Sequence, residues 1–291
     1  CVGANETYSV NPITGATAYN WTLPGGWTGS SSTNTINAIA GNVGGNISVT
    51  ASFACGTSLP QTLAVVAQTT PVLSGNIIGN INVCDGSSSD YNISLVNGAT
   101  DYIWNAPNDW TFTSNTNSVN MLVGSTSGNV TVSAQNSCGI SNSLTLAVNV
   151  IAVPTQPNAI SGNTALCGGS ANTYSISTVA GATSYTWTLP MDWTGGSTSN
   201  TINATAGSNS GNITVTADNT CGSSIAQSIV ITTNNAPVIP TVINGSTAIC
   251  ENATESYNVN PDSNALTYSW TLPNGWTGTS NSNIISANAN T

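Results

Sequence analysis

The cysteines recur at a fixed step. Cys1, Cys84, Cys167 and Cys250 are each 83 residues apart, and Cys55, Cys138 and Cys221 form a second series with the same spacing. The aromatic residues keep this register: Trp21, Trp104, Trp187 and Trp270, then Trp27, Trp110, Trp193 and Trp276, while all eight tyrosines fall into series led by Tyr8 and Tyr19. Pro71, Pro154 and Pro237 mark the joints. A period that never slips means one supersecondary unit used repeatedly, and 291 residues hold about three and a half copies. The expected divisions are residues 1–70, 71–153, 154–236 and 237–291, the first without its opening strand and the last stopping midway. Because the chain opens on Cys1 and not on Met, it is read as an internal window of a longer precursor.

Within a copy the periodicity is that of strands. In the third, "NTYSIST" alternates and is followed by "GATSYTWTLP", where Tyr185 and Trp187 share one face. "NTINATA", "GNITVTADN" and, after a Cys-Gly turn, "SIAQSIVITT" continue the pattern, and "NAISGNTAL" is expected to supply a first strand. Such Val, Ile, Thr, Tyr and Trp runs, divided by Gly, Asn, Ser and Pro, are strand and turn signals. No segment carries a helical period. Six or seven strands per copy, with Trp on the third, predict an all-β chain of tandem immunoglobulin-like sandwiches laid end to end. A β-solenoid would repeat at a much shorter step.

Composition removes whole classes of function. The chain has no Lys, Arg or His against ten Asp plus Glu, and charged residues make up 3% of it, where about a quarter is ordinary. Without cations there is no surface to neutralise phosphates, which excludes nucleic-acid binding and docking on anionic lipid. No run of ~18 apolar residues occurs, so no membrane-inserting helix is expected. Seven cysteines without His point to disulfides, an oxidising compartment and hence an extracellular protein.

The segments "GATSYTWTLPMDWTGGSTSNTINATAGSNSGNITVTADNTCGSS" and "CGGSANTYSIS" closely resemble the PKD-like domain repeated in large surface proteins of Bacteroidota. The resemblance covers every copy. The signature Y-x-W-T-L-P-x-x-W-T-G stands intact in copies one, three and four, whereas copy two reads "YIWNAPNDWTF", a departure expected to loosen the turn after Pro107. The resemblance implies a place in giant bacterial cell-surface adhesins, gliding-motility adhesins among them, exported by the type IX route.

Catalysis is not expected. General bases of the His and Lys kind are missing, and a Ser-His-Asp set cannot be built. Carboxylate pairs remain, but no acid recurs in every copy; Asp109 and Asp192 share a slot that Gly26 and Gly275 fill elsewhere. No cofactor site is expected either. Calcium at the joints would draw on Asp85 with Asp90 or Glu251 with Glu255, yet their slots hold uncharged residues such as Gly168 and Ser89 in other copies, so the favoured reading is solvated loop acids. The pairs Tyr19–Trp21, Tyr102–Trp104, Tyr185–Trp187 and Tyr268–Trp270 are expected in the cores. The second Trp series, after the Pro190-type turn, either caps the core or offers a platform to sugar, and capping is favoured.

Strand direction bears on the cysteines. Cys84 follows the first strand, which ends at the C-terminal pole of a sandwich, while Cys138 occupies the turn between the last two strands, at the N-terminal pole. Nine residues of strand span about 30 Å, and bridged Cα atoms approach within about 7 Å. The preferred pairing is therefore between modules, Cys1 with Cys138 and Cys84 with Cys221, leaving Cys55, Cys167 and Cys250 to partners outside the sequence; bridges within modules, such as Cys84–Cys138, are the alternative. The leading function is a stalk of rigid spacers in a secreted surface adhesin, with neighbouring modules, other filament copies or surface glycans as partners. The alternative is a set of carbohydrate-binding accessory modules of a polysaccharide-degrading enzyme, which an exposed row of Trp27, Trp110, Trp193 and Trp276 would favour.

Overall fold

Alternation decides the strands. In Gly128–Asn136, Val130, Val132 and Ala134 are wholly buried and the residues between them are not, the two-residue period of a strand with one face on a core. Gly211–Asn219 does the same with Ile213, Val215 and Ala217. The computed structural model describes residues 1–290, which form strands and connecting segments with no helix among them. Two compact units cover Cys1–Ala152 and the chain from Val153 onward.

The second copy shows the architecture in full. One sheet runs in the order Asn82–Cys84, Gly139–Ile151, Gly128–Asn136, Asp101–Asn105, and the other in the order Thr111–Phe112, Ser118–Leu122, Ser88–Asn92. All pairings are antiparallel except that of Asn82–Cys84, which lies parallel to the end of Gly139–Ile151 with Cys84 opposite Ile151. Between the sheets lie Tyr91, Trp104, Trp110, Met121 and Val132. This is an immunoglobulin-like sandwich. The third copy repeats it, with Ala165–Cys167, Gln227–Asn234, Gly211–Asn219 and Ser184–Thr188 facing Ala171–Ser175, Thr201–Thr205 and Thr194–Gly195. In the first copy Asn5–Ser9 pairs with Thr35–Ile39, and Gly45–Phe53 lies between Ala18–Thr22 and Gln61–Val65. The fourth pairs Thr254–Asn258 with Ile284–Asn288, and no second sheet covers them among the described residues.

The opening strand differs from the expectation. Residues 158–166 do not form one continuous strand. Ser161 bridges Ser175 in one sheet, and Ala165–Cys167 then joins the opposite sheet. The crossing happens at Gly162, where a Cβ would stand 2.3 Å from Cδ1 of Tyr174; the tyrosine ring fills the space a side chain would need, so the strand cannot continue with a larger residue there. Gly79 over Tyr91 and Gly245 over Tyr257 repeat the contact. The turn after Pro107 is also a correction. Trp110 N donates to Pro107 O at 3.0 Å, no longer than the equivalent bonds from Trp27 (3.1 Å) and Trp193 (3.3 Å). The turn depends on a backbone bond that the replaced side chains do not touch, so it is not loosened.

Each aromatic of the strand pair has its polar tip satisfied, as buried Tyr and Trp require. The hydroxyls of Tyr19, Tyr102, Tyr185 and Tyr268 accept from backbone N–H groups six residues upstream. The indoles of Trp21, Trp104, Trp187 and Trp270 donate to carbonyls twelve residues downstream. Tyr19, Tyr102, Tyr185 and Trp104 are buried, and Trp21 and Trp187 are half-buried at the core margin. Tyr268 and Trp270 are half-buried as well, in a segment that lies outside the strands of the fourth copy.

Candidate functional site

Around the joint between the first two copies, one covalent bond and a set of amide contacts converge. Cys1 and Cys138 form a disulfide, with Cα atoms 5.4 Å apart and 137 residues between them in sequence. The connecting segment runs past this bond. Val2 N donates to Gln68 O at 2.8 Å, Cys138 Sγ lies 3.6 Å from the same carbonyl, and the Ser137 hydroxyl donates to Gln68 Oε1.

Asn136 organises the rest. Its Oδ1 accepts from Cys138 N at 2.8 Å, shaping the turn that presents the sulfur, while its Nδ2 donates to Thr69 O at 2.8 Å and Gly98 O at 2.9 Å. One side chain thus holds the cysteine turn, the connecting segment and the loop before Asp101–Asn105. A few residues on, Asn142 grips Leu73 from both sides: Oδ1 accepts from Leu73 N and Nδ2 donates to Leu73 O. Pro71 and Leu73 are buried. Short connections between domains ordinarily permit bending, but here the backbone polar groups and the apolar side chains of the connection are both committed.

The cysteine positions follow from strand length. Cys138 precedes Gly139 at the start of the 13-residue Gly139–Ile151 strand, and Cys84 pairs with Ile151 at its other end. That strand spans about 44 Å, so Cys84–Cys138 is not a bridge the second copy can make. Cys84 and Cys221 are each disulfide-bonded, whereas Cys55, Cys167 and Cys250 are free and exposed. Asn136 and Asn142 were not singled out from sequence. The available signal is that Asn136 and Asn219 share a slot, and Asn219 Oδ1 likewise accepts from Cys221 N. The first copy has Phe53 there.

The second tryptophan series is turned inward. Trp27, Trp110 and Trp193 are 9%, 4% and 7% exposed. Each indole donates to a backbone carbonyl sixteen residues on, at 2.8–3.0 Å, and packs tilted against Tyr8, Tyr91 or Tyr174 with ring centroids 6.4 Å apart. These tyrosines were likewise not assigned to the core from sequence. Trp276 is half-buried and makes the same contact with Tyr257. No exposed aromatic row exists in the first three copies.

The recurrent acids serve their own loops. Asp192 accepts from the Ser208 hydroxyl at 2.6 Å and from Ser208 N at 2.8 Å, and these bonds hold its carboxyl below the usual value. At Asp109 desolvation pushes upward, but hydrogen bonds from Thr126 and Ser125 outweigh it and again lower the pKa. Asp90 accepts from Asn120 Nδ2. Among the described residues, no three His, Cys, Asp or Glu side chains gather as metal ligands would.

No curated protein sequence matches the chain. Solved structures similar to it include a titin domain segment (16% identity, 78% of this chain and 93% of that one, TM-score 0.39) and the Escherichia coli adhesin FdeC (15%, 77% and 88%, TM-score 0.35). The N-terminal eight immunoglobulin domains of Down syndrome cell adhesion molecule align over 99% of this chain and 48% of theirs, at 14% identity and TM-score 0.34. The family described as PKD-like domain matches residues 1–65, 70–148, 153–231 and 236–291. With four matches in tandem over nearly all its length, the chain belongs to the PKD-like domain family.

Proposed function

We propose that this chain is a structural segment of an extracellular surface adhesin, a run of spacers whose joints are stiffened covalently, and that it has no catalytic role. The observation that carries the reading is the Cys1–Cys138 bond closed over a connecting segment that Asn136 and Asn142 already hold. A chain built for changing interdomain angles gains nothing from committing those groups. By the 83-residue step, Cys84 and Cys221 occupy the corresponding positions one copy further on, and each is in a disulfide. The disulfides also fit an oxidising, extracellular setting. A bacterial cell surface, gliding motility and type IX export are the finer version of this proposal, and rest on the resemblance of the repeat.

The test is nitrogen-15 relaxation of the full chain. With the Cys1–Cys138 bond intact, the first and second copies share one rotational correlation time; in Cys1→Ser they separate. Independent tumbling of the two copies in the intact chain would sink the proposal. The sugar-binding alternative has no support in the first three copies, because the indoles that would stack on a ring are buried. Binding to a panel of surface polysaccharides that Trp193→Phe abolishes would revive it.

A further inference from the structure

The disulfide does more than stiffen a joint, because it changes which residues carry tension. Consider a pull between Cys1 and Ala152, the two ends of the first compact unit. Along the polypeptide, every residue of the unit lies in series. Through sulfur, the path leaps from Cys1 to Cys138 and leaves out the 137-residue sequence separation between them. What remains is Gly139–Ile151, a single strand of 13 residues, and Ala152.

We infer that, for a pull between Cys1 and Ala152, this one strand is the tension member and the whole of the first copy is mechanically unloaded. The geometry is nearly at its limit already. Thirteen strand residues at about 3.4 Å each occupy about 44 Å, and a fully extended chain reaches at most about 3.6 Å per residue, or about 47 Å. The load path therefore has a reserve of only a few ångströms. Unfolding the first copy, or any strand of the second between Asn82–Cys84 and Gly128–Asn136, adds no length while the sulfur bond holds. An unstapled tandem sandwich behaves oppositely, since each domain that unfolds releases its entire contour.

The neighbours of the tension strand fit this role. Gly128–Asn136 pairs with it from Gly139 as far as Val148, and Asn82–Cys84 takes over from Asn149 to Ile151. The strand is thus held by a partner along nearly its whole length. Neither partner is itself in the load path, so tension along Gly139–Ile151 does not peel or shear the sheet from a loaded end of another strand.

The inference stands on connectivity and not on the adhesin reading, and its test separates the two. The full chain is held by its α-amino group, the only amine in a sequence without Lys, and by an azide-bearing residue at position 152, then stretched in optical tweezers. The expected result for the intact chain is a total extension under about 70 Å at any force, with no unfolding steps. Cys1→Ser combined with Cys138→Ser is expected to lengthen by roughly 480 Å more, the 137 residues returned to the path at about 3.5 Å each. A variant that fails to fold gives the same final contour, so its readout survives. Stepwise lengthening of the intact chain by hundreds of ångströms overturns the inference, as does an equal final length for the two proteins.

Discussion

Gly162 lies under the ring of Tyr174, so close that the smallest side chain would overlap it. A Cβ there would stand 2.3 Å from Cδ1 and 2.7 Å from Cε1 of a residue that is itself fully buried. The same pair recurs as Gly79 with Tyr91. Gly162→Ala is expected to destabilise the third copy by about 1–3 kcal/mol, the usual cost of overpacking a filled core. Denaturant unfolding followed by tryptophan fluorescence measures it, and a change below 0.5 kcal/mol, on the order of an ordinary surface substitution, would show that the ring moves aside freely.

Trp110 closes one end of the second core, with its indole donating to Thr126 O and its ring against Tyr91. Trp110→Ala should cost about 3–5 kcal/mol, as large aromatic truncations do. Trp110→Phe retains most of the apolar surface but leaves the Thr126 carbonyl without its donor, and should fall between. If binding to polysaccharide changed while stability did not, the residue would be a recognition surface and not a core element.

Asp192 predicts a pH dependence. Hydrogen bonds from Ser208 lower its pKa below the ordinary 3.8, so the folded state binds its proton less readily than the unfolded one. The resulting stability is complete above the unfolded value and disappears as pH falls through the folded one. Carboxyl-carbon NMR should give a midpoint under 3.8 for Asp192. Asp192→Asn should flatten the acid limb of the third copy's stability curve, while the first copy, with Gly26 in that slot, gives no such contribution.

Asn136 should be separable from the core it borders. Asn136→Ala removes the acceptor for Cys138 N and the donor to Thr69 O. Amide exchange at Cys138 is expected to accelerate at least tenfold, a loss of about 1.4 kcal/mol of local protection, with little change at Val132. Equal acceleration at both would mean that the joint and the sandwich open together.

The sandwiches were legible because alternation is a local property: Ile213, Val215 and Ala217 announce a buried face within five residues. The joint was legible only in part. The direction of strands places Cys138 and Cys84 at opposite poles, but nothing adjacent to Asn136 or Asn142 reveals partners some seventy residues earlier, Thr69 and Leu73. The break at Gly162 was hidden for a similar reason, since its cause is a ring twelve residues on. Tyr174 and Trp193 likewise meet only after the chain has crossed between sheets.

The long span of the Cys1–Cys138 bond also sets an order of events during biogenesis. On a chain emerging at 5–20 residues per second, Cys138 follows Cys1 by about 7–27 s, given their 137-residue separation. Cys55 follows Cys1 sooner than Cys138 does. The folded first copy keeps them apart: Cys55 sits in the turn between Gly45–Phe53 and Gly56–Thr57, while Val2, next to Cys1, is bonded to Gln68 beyond the far end of Gln61–Val65. Nine strand residues, about 30 Å, separate the two poles. Once folded, the first sandwich is therefore a spacer between two thiols of its own copy, and Cys1 meets its partner only across the joint.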